Sequence, residues 1–410
     1  MQPIGSEKGA PAGQFLAISE GNAVVYYMRS RIRHFAFGLL LALSTSQCIK
    51  LDLSGTNLAS LLAASSPSVY FFIDDTGGDG TARSFLKMEA GGQPQLRTWS
   101  GGPQNIWKAA VSNGTIYALQ NDNTDDVWIS RDDGASWTLF DAPAANESEN
   151  ITNVLNCGGN IIITYSKIAH NQSGAHPAYI SRDGGNSWQE WRLGFGPSLV
   201  PEATAWGIDC TGDTLYVASS EVTNIFQWAP LSDLTSWTRA TSHTVFPSDY
   251  SGIAVGQNQV MGTAYDAANF TSYSLNYSLN GGQTFSQAAY PGHQFNYYPS
   301  PPITEFGDGR FFVAIADTSG GNCKLFANTS ASIAPGTDSP LSTSCNNLSN
   351  LQSTPALRST RLGLFLSYRN TTGTQTGLLY SSDGGATLTK VDLSSVWTDS
   401  GFITDIEESP

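Results

Sequence analysis

At 410 residues the chain is long enough for one large domain or two ordinary ones. Only 13% of its residues are charged and aromatics reach 11%, a composition suited to strands and tight turns rather than long amphipathic helices. The formal charge of -14 repels phosphate backbones and anionic lipid, which argues against nucleic acid as a partner.

Chain order begins with a sorting segment. Arg29, Arg31 and Arg33 precede an apolar run from Phe35 to Leu43, followed by small and polar residues up to Cys48. A basic region, a short apolar core and small residues make a secretory signal, too short to span a membrane. Met28, directly ahead of the basic region, is where translation is expected to start. The stretch from Leu43 to Cys48 resembles a bacterial lipobox, which implies a lipidated Cys48 and an exported protein, anchored at the cell surface or outer membrane or simply secreted. Residues 1–47 then form an extension plus signal, 48–66 a linker, and 67–410 one folded domain. Taking Cys48 as the anchor leaves Cys157, Cys210, Cys323 and Cys345, an even number suited to two disulfides in an oxidising compartment.

Repeats organise the remainder. Ser130-Arg-Asp132-Asp-Gly134-Ala-Ser-Trp137 and Ser181-Arg-Asp183-Gly-Gly185-Asn-Ser-Trp188 are two copies of one motif. Ser278-Leu-Asn280-Gly-Gly282-Gln-Thr-Phe285 and Ser381-Ser-Asp383-Gly-Gly385-Ala-Thr-Leu388 are weaker copies. The period is about 50 residues, and degenerate copies fall in the gaps, near Phe85 to Trp99, Phe226 to Trp237 and Lys324 to Leu341. In the second copy, the strand from Ala178 to Ser181 enters a tight turn whose Asp183 accepts hydrogen bonds from turn amides, Gly185 takes a backbone conformation closed to most side chains, and Trp188 packs inward on the return strand.

This pattern resembles the Asp box, the bacterial neuraminidase repeat of sialidases and related propellers. The resemblance implies an all-β fold of four-stranded antiparallel blades in which the motif is a structural staple on the rim, away from the ligand face. Two further strands per repeat, such as Ile151 to Asn156 and Ile161 to Tyr165, complete each blade. The first repeat, beginning at Val69, lacks an innermost strand, and Phe402 to Ile406 is spare. We therefore expect a seven-bladed β-propeller closed by the C-terminal strand, with the six blades of sialidases as the alternative. Residues 407–410 read as a polar, dispensable end. Cys157 and Cys210 lie at equivalent ends of neighbouring inner strands, and Cys323 and Cys345 bracket one outer hairpin, so both pairs are expected to form disulfides.

Fold does not fix function, so the resemblance is tested at its catalytic residues. Sialidases hold a carboxylate with three arginines, and use a Tyr–Glu nucleophile pair, an acid Asp and an early Arg-Ile-Pro motif. Here the entries to the inner strands carry Trp107, Thr152, Trp206, Tyr250, Pro302, Thr354 and Phe402, and Arg-Ile-Pro is absent. Arg358 and Arg361 sit near inner turns, on the rim side. Arg369 approaches the ligand face, where the loop from Tyr290 to Pro302 adds His293, Tyr297 and Tyr298, aromatics able to stack on sugars or anchor a protein. Glu202, Asp249 and Glu305 could furnish a carboxylate pair for glycoside hydrolysis. Asp74, Asp75 and Asp79 in one loop face Asp122 and Asp126 in the next, hard oxygen ligands that could hold a structural calcium; no other cofactor is implied, since the histidines show no zinc spacing. The leading expectation is a non-catalytic surface module that binds a glycan or a protein. Its rivals are a glycoside hydrolase on the same scaffold and an assembly scaffold for envelope proteins.

Overall fold

The computed structural model describes residues 16–19, 22–25, 67–74, 83–120, 126–141, 151–165, 167–169, 177–194, 202–220, 225–241, 249–265, 273–289, 303–305, 311–317, 322–328, 351–353, 356–370, 376–397 and 401–409. Internal contacts divide the chain after Ser66. In the first unit β1 (Leu16–Ser19) and β2 (Asn22–Val25) form an antiparallel hairpin. Cys48 and the signal region lie outside the described residues. Among those described, no helix is long and apolar enough to cross a membrane.

The second unit is a β-propeller of antiparallel blades. Blade one holds β3 (Ser68–Asp74), β4 (Ser84–Glu89) and β5 (Gln95–Thr98); blade two holds β6 (Ile106–Ser112), β7 (Thr115–Gln120), β8 (Asp126–Ser130) and β9 (Thr138–Asp141). Blade three comprises β10 (Ile151–Cys157), β11 (Asn160–Tyr165), β13 (Ala178–Ser181) and β14 (Gln189–Trp191), while β12 (Lys167–Ala169), from its β11–β13 connection, joins blade four. Blade four adds β15 (Glu202–Thr211), β16 (Thr214–Ser220), β17 (Ile225–Pro230) and β18 (Thr238–Arg239), and blade five has β19 (Asp249–Val255), β20 (Val260–Tyr265), β21 (Tyr273–Ser278) and β22 (Ser286–Ala289). A three-stranded sheet follows, β23 (Ile303–Glu305), β24 (Phe311–Asp317) and β25 (Asn322–Asn328). Blade six has an inner strand in two pieces, β26 (Leu351–Ser353) and β27 (Leu357–Thr360), then β28 (Gly363–Asn370), β29 (Thr376–Ser381) and β30 (Thr389–Val391). Last, β31 (Phe402–Ser409) returns to blade one.

The expected seven four-stranded blades are thus corrected to six complete ones, the alternative count, with the three-stranded sheet between the fifth and sixth. The outer strand expected near Leu341 in that sheet, and with it Cys345 and the Cys323–Cys345 pairing, lies outside the described residues. Blade four also departs from four strands. Ile168 and Ala169 are fully buried, β12 pairs with the start of β15, and Leu193, just after β14, donates to the Ala169 carbonyl at 2.9 Å.

Sequence explains the strands locally. Val69 to Ile73 and Ile161 to Ile163 are β-branched and aromatic runs buried on both faces. The hairpin between β6 and β7 turns at Asn113 and Gly114, whose φ values of 49° and 76° suit the mirror-image turn that matches strand twist. The core is a circle of layers between blades. Phe71 meets Phe365 edge-on at 5.2 Å between blades one and six, and Trp191 stacks on Trp237 at 5.7 Å between blades three and four. Each such buried side chain stabilises by roughly 1.5–3 kcal/mol, so the contacts between blades carry much of the core.

The C-terminal strand pairs along the whole of β3, from Ser68 opposite Ser409 to Asp74 opposite Phe402. The strand runs past Ile406, and Glu407 and Ser409 are 9% and 5% exposed, so the supposedly dispensable end belongs to the sheet. Polarity misled here: these side chains point to the propeller axis and to the next blade, where polar partners meet them.

Candidate functional site

The inner strands run in one direction, and the C-terminal ends of five of them, β6, β10, β15, β19 and β27, lead into short turns at Ser112–Thr115, Cys157–Asn160, Thr211–Thr214, Val255–Val260 and Thr360–Gly363. The third strands run the same way, so the repeat turns lie on that same turn face. The opposite, loop face carries the longer connections, among them 142–150, 195–201, 242–248 and 290–302, all outside the described residues.

The repeat turns are closed units. Ser181 Oγ donates to Asp183 Oδ1 at 2.9 Å and accepts from the Gly185 amide at 2.7 Å, and Asp183 takes the Ser187 amide and hydroxyl at 2.9 and 2.6 Å. Asp132, Asn280 and Asp383 sit in the same cradle. These bonds, the Ser187 hydroxyl foremost, draw Asp183 down to about 2, and the Thr387 hydroxyl does the same for Asp383. The motif aromatics do not turn straight inward. Trp137 packs on Trp99, Trp188 on Phe140 and Phe285 on Phe226, each from the preceding blade. Gly134 shows why a glycine is needed: at φ 87°, a Cβ there would lie 2.6 Å from Phe85. Neighbouring turns are also tied together. Arg131 donates to Gly184 O, Arg182 to Leu231 O, and Asp133 accepts from Tyr70 and Lys87 of blade one at 2.9 and 2.8 Å. With the serine and carboxylate or amide side chains of the motif engaged in this way, the turns tie neighbouring blades together.

The expected site residues scatter. Glu202 and Asp249 open β15 and β19 on the loop face, whereas Glu305 closes β23 at the turn face, beside Gly256. An inner strand separates the two ends by on the order of 20 Å, too far for Glu305 to share a glycosidic bond with either of the others. Arg369 lies near the loop-face end of β28, paired with Ser353 and Thr376. Tyr290, His293, Tyr297 and Tyr298 lie outside the described residues, as do Asp75, Asp79 and Asp122 of the two acidic loops. Asp74 is buried at the end of β3 and Asp126 begins β8. Among the described residues no group of three or more His, Cys, Asp or Glu is placed to hold a metal ion. Cys157 and Cys210 are disulfide-bonded, Cα to Cα 5.8 Å, and join the turn-face ends of β10 and β15.

Reading the sequence missed the axis. Lys108 of β6, Asp209 of β15, Arg358 of β27 and Asp405 and Glu407 of β31 converge there, with Glu305 of β23 beside Asp209. Lys108 Nζ donates to Asn153 Oδ1 at 2.6 Å and Arg358 Nη2 to Glu407 Oε2 at 3.1 Å. Asp209 accepts the amides of Cys210 and Val255, and Asp405 those of Ile406 and Ala109, all at 2.8 to 2.9 Å. Each of these carboxylates therefore binds one blade's inner strand to the next. The side chain of Arg358 remains 43% exposed, so water reaches a cluster that lies deep within the ring. Burial pushes Asp209 up to about 6 and raises Asp405 and Glu407 as well, and it lowers Lys108. A usable signal was present: Asp209 and Asp405 each directly precede a core-packed residue of an inner strand, Cys210 and Ile406, and Asn156 holds that place before Cys157. At the outer edge, a half-open groove of about 360 Å³ runs between blades three and four, lined by Arg182, Glu190, Arg192 and Asp233.

The family model described as Sortilin-Vps10 (sortilin, neurotensin receptor 3) matches residues 89–332. Among solved structures, "YCF48 bound to D1 peptide" shares 13% identity at a TM-score of 0.46 over 70% of this chain and 80% of that one. The computationally designed Ika8 protein shares 12% at a TM-score of 0.42 over 76% and 81%. None of the curated proteins matches the chain.

Proposed function

The chain belongs to the Sortilin-Vps10 family, and on that premise we propose that it is a non-catalytic binding module, exported and held at the cell surface, that takes a protein or glycan partner on its loop face. The family description names a receptor, which is a binding role. The observation that carries the reading is the asymmetry of the two faces. On the turn face, short hairpins and bonded repeat turns leave little to vary. On the loop face the connections are long, and loops on a rigid scaffold are where binding residues concentrate. We assign contact to the Tyr290 to Pro302 loop and Arg369, the staple role to the Asp-box turns, and attachment to a lipid on Cys48.

Replacing residues 290–302 with a Gly-Ser linker should abolish capture in both a glycan array and a crosslinking pull-down while the melting temperature holds. Unchanged capture by the linker variant would refute the assignment of the face. Turnover of sialyl, glucan or chitin reporters, lost on Glu202→Gln or Asp249→Asn, would replace binding with hydrolysis. Cys48→Ala should release the protein from the membrane fraction without unfolding it, and an intact mass with an unmodified residue upstream of Cys48 would remove the anchor.

A further inference from the structure

The charged groups on the axis are not spread evenly around the ring. Two of them belong to the strand that closes it. On one side β31 is held by blade two: Asp405 Oδ2 accepts the Ala109 amide at 2.8 Å, Thr404 Oγ1 donates to Ile106 O at 2.8 Å, and Ser409 Oγ accepts the Gly114 amide at 3.0 Å. On the other it is held by blade six, through Arg358 to Glu407 at 3.1 Å and Arg361 to Glu408 at 2.7 Å. The pairing with β3 adds a main-chain ladder, but no charge faces Glu407 from it, since the hydroxyl of Tyr70 is bonded to Asp133.

We propose that the axial cluster is a charge-sensitive latch, in which the charge on Asp405 and Glu407 sets how firmly the closing strand, and so the ring, is held. Glu407 faces Arg358 of β27, Lys108 of β6, Asp209 of β15 and its own neighbour Asp405. Two cations there stand against three carboxylates, with Glu305 a fourth next to Asp209. Full ionisation therefore leaves net negative charge between the inner strands, and its repulsion acts on the strand that closes the ring.

The direction follows from linkage. Burial, more than Arg358 offsets, lifts Glu407 to about 8, and it raises Asp405 too. A carboxylate raised on folding contributes stability that is full below the ordinary carboxylate range. That stability is lost as pH climbs through about 6 for Asp209 and about 8 for Glu407. Lys108, lowered by burial, acts in the opposite sense, adding stability as pH rises from its depressed value to the ordinary lysine range. Closure is thus tight in acid and slackens in mild alkali.

Hydrogen exchange of the full chain tests the latch, comparing the peptide over 402–409 with that over 151–165 at about pH 5 and about pH 9, corrected for intrinsic chemistry. The opening constant of the closing strand should rise roughly tenfold or more across that interval, with the blade-three peptide unmoved. Glu407→Gln should flatten the rise. Arg358→Gln, which removes the cation that favours the ionised form, should extend it to higher pH. An equal response in both peptides, or a rise that persists in Glu407→Gln, overturns the proposal, as does an unmoved profile in Arg358→Gln.

Discussion

The molecule uses the same chemical group in two opposite settings. On the turn face, Asp132, Asp183 and Asp383 accept amides and hydroxyls of their own turns while open to water, and their affinity for protons falls. On the axis, Asp209 and Asp405 also accept two amides apiece, one of them across a blade boundary, yet their affinity for protons rises. Hydrogen bonds to the carboxylate are present in both places, so hydration decides the sign. Water stabilises the exposed anion beyond what the turn provides. The buried anion exchanges that water for two amides and distant cations, which is not enough. The turn carboxylates therefore contribute stability at neutral pH that is lost in acid, for Asp183 and Asp383 as pH falls towards about 2, and the axial ones contribute in acid what they lose as pH rises, for Asp209 through about 6.

The most drastic way to break this comparison is to remove the strand that carries two of the four axial carboxylates. Deleting residues 401–410 strips the ladder on β3, removes the buried Ile403 and Ile406 and uncovers Phe71 and Ile73 opposite them, so the loss should exceed the 0.5–3 kcal/mol of ordinary point changes and leave no cooperative melt. Removing only 407–410 should still cost several kcal/mol, because Glu407 and Ser409 are buried and bonded to Arg358 and Gly114. A 406-residue chain that melts like the full one would show that these contacts do not hold the ring.

On the turn side the comparison predicts that geometry outweighs charge. Gly134→Ala keeps every hydrogen bond of its turn, yet sets a Cβ against Phe85 at a positive φ, and should cost roughly 1–3 kcal/mol in urea melts. On the axis charge should dominate. Asp209→Asn keeps an acceptor for the Val255 or Cys210 amide, and should leave stability above pH 6 equal or higher while erasing the gain that Asp209 gives in acid. A variant that tracks the parent at every pH would show that Asp209 is hydrated after all.

How much of this was legible follows from the distances along the chain that each feature spans. The repeat turns, their hairpins and the return of the last strand could be read because each is local or sits at a fixed period: Ser-x-Asp-x-Gly announces its turn within eight residues, and Phe402 to Ile406 was left without a partner. The Cys157–Cys210 bridge followed from the same period. The axial cluster could not be read that way. Lys108, Asp209, Arg358 and Glu407 come from four inner strands, and a polar residue within a strand does not declare whether it faces the axis, solvent or the next blade. The same limit hid the burial of Glu407 and the opposite placement of Glu305, whose position depends on where a three-residue strand starts.

The smallest expected effect comes from Asp183→Asn, and the molecule already contains its control. In blade five the equivalent residue is Asn280, whose Oδ1 accepts from Ser278 at 2.8 Å and from the Thr284 amide at 3.0 Å while its Nδ2 donates to the Thr284 hydroxyl at 2.9 Å. An amide thus fills the cradle as well as a carboxylate, with the hydroxyl turned round to accept rather than donate. Ser187 in blade three is free to make the same rotation, since its hydroxyl bonds only the carboxylate side chain among the contacts of that turn. Asp183→Asn should therefore leave the melting temperature at neutral pH almost unchanged, in contrast to Asp183→Ala, which removes the acceptor for the Asn186 and Ser187 amides and should lower it measurably. The difference between parent and Asn variant should appear only in strong acid. There the parent loses stability as Asp183 takes up a proton near 2 and the variant has nothing to titrate. Melts at neutral pH and again close to pH 2 decide it, and a large loss for the Asn variant at neutral pH would mean that the turn depends on the charge of Asp183 rather than on its geometry.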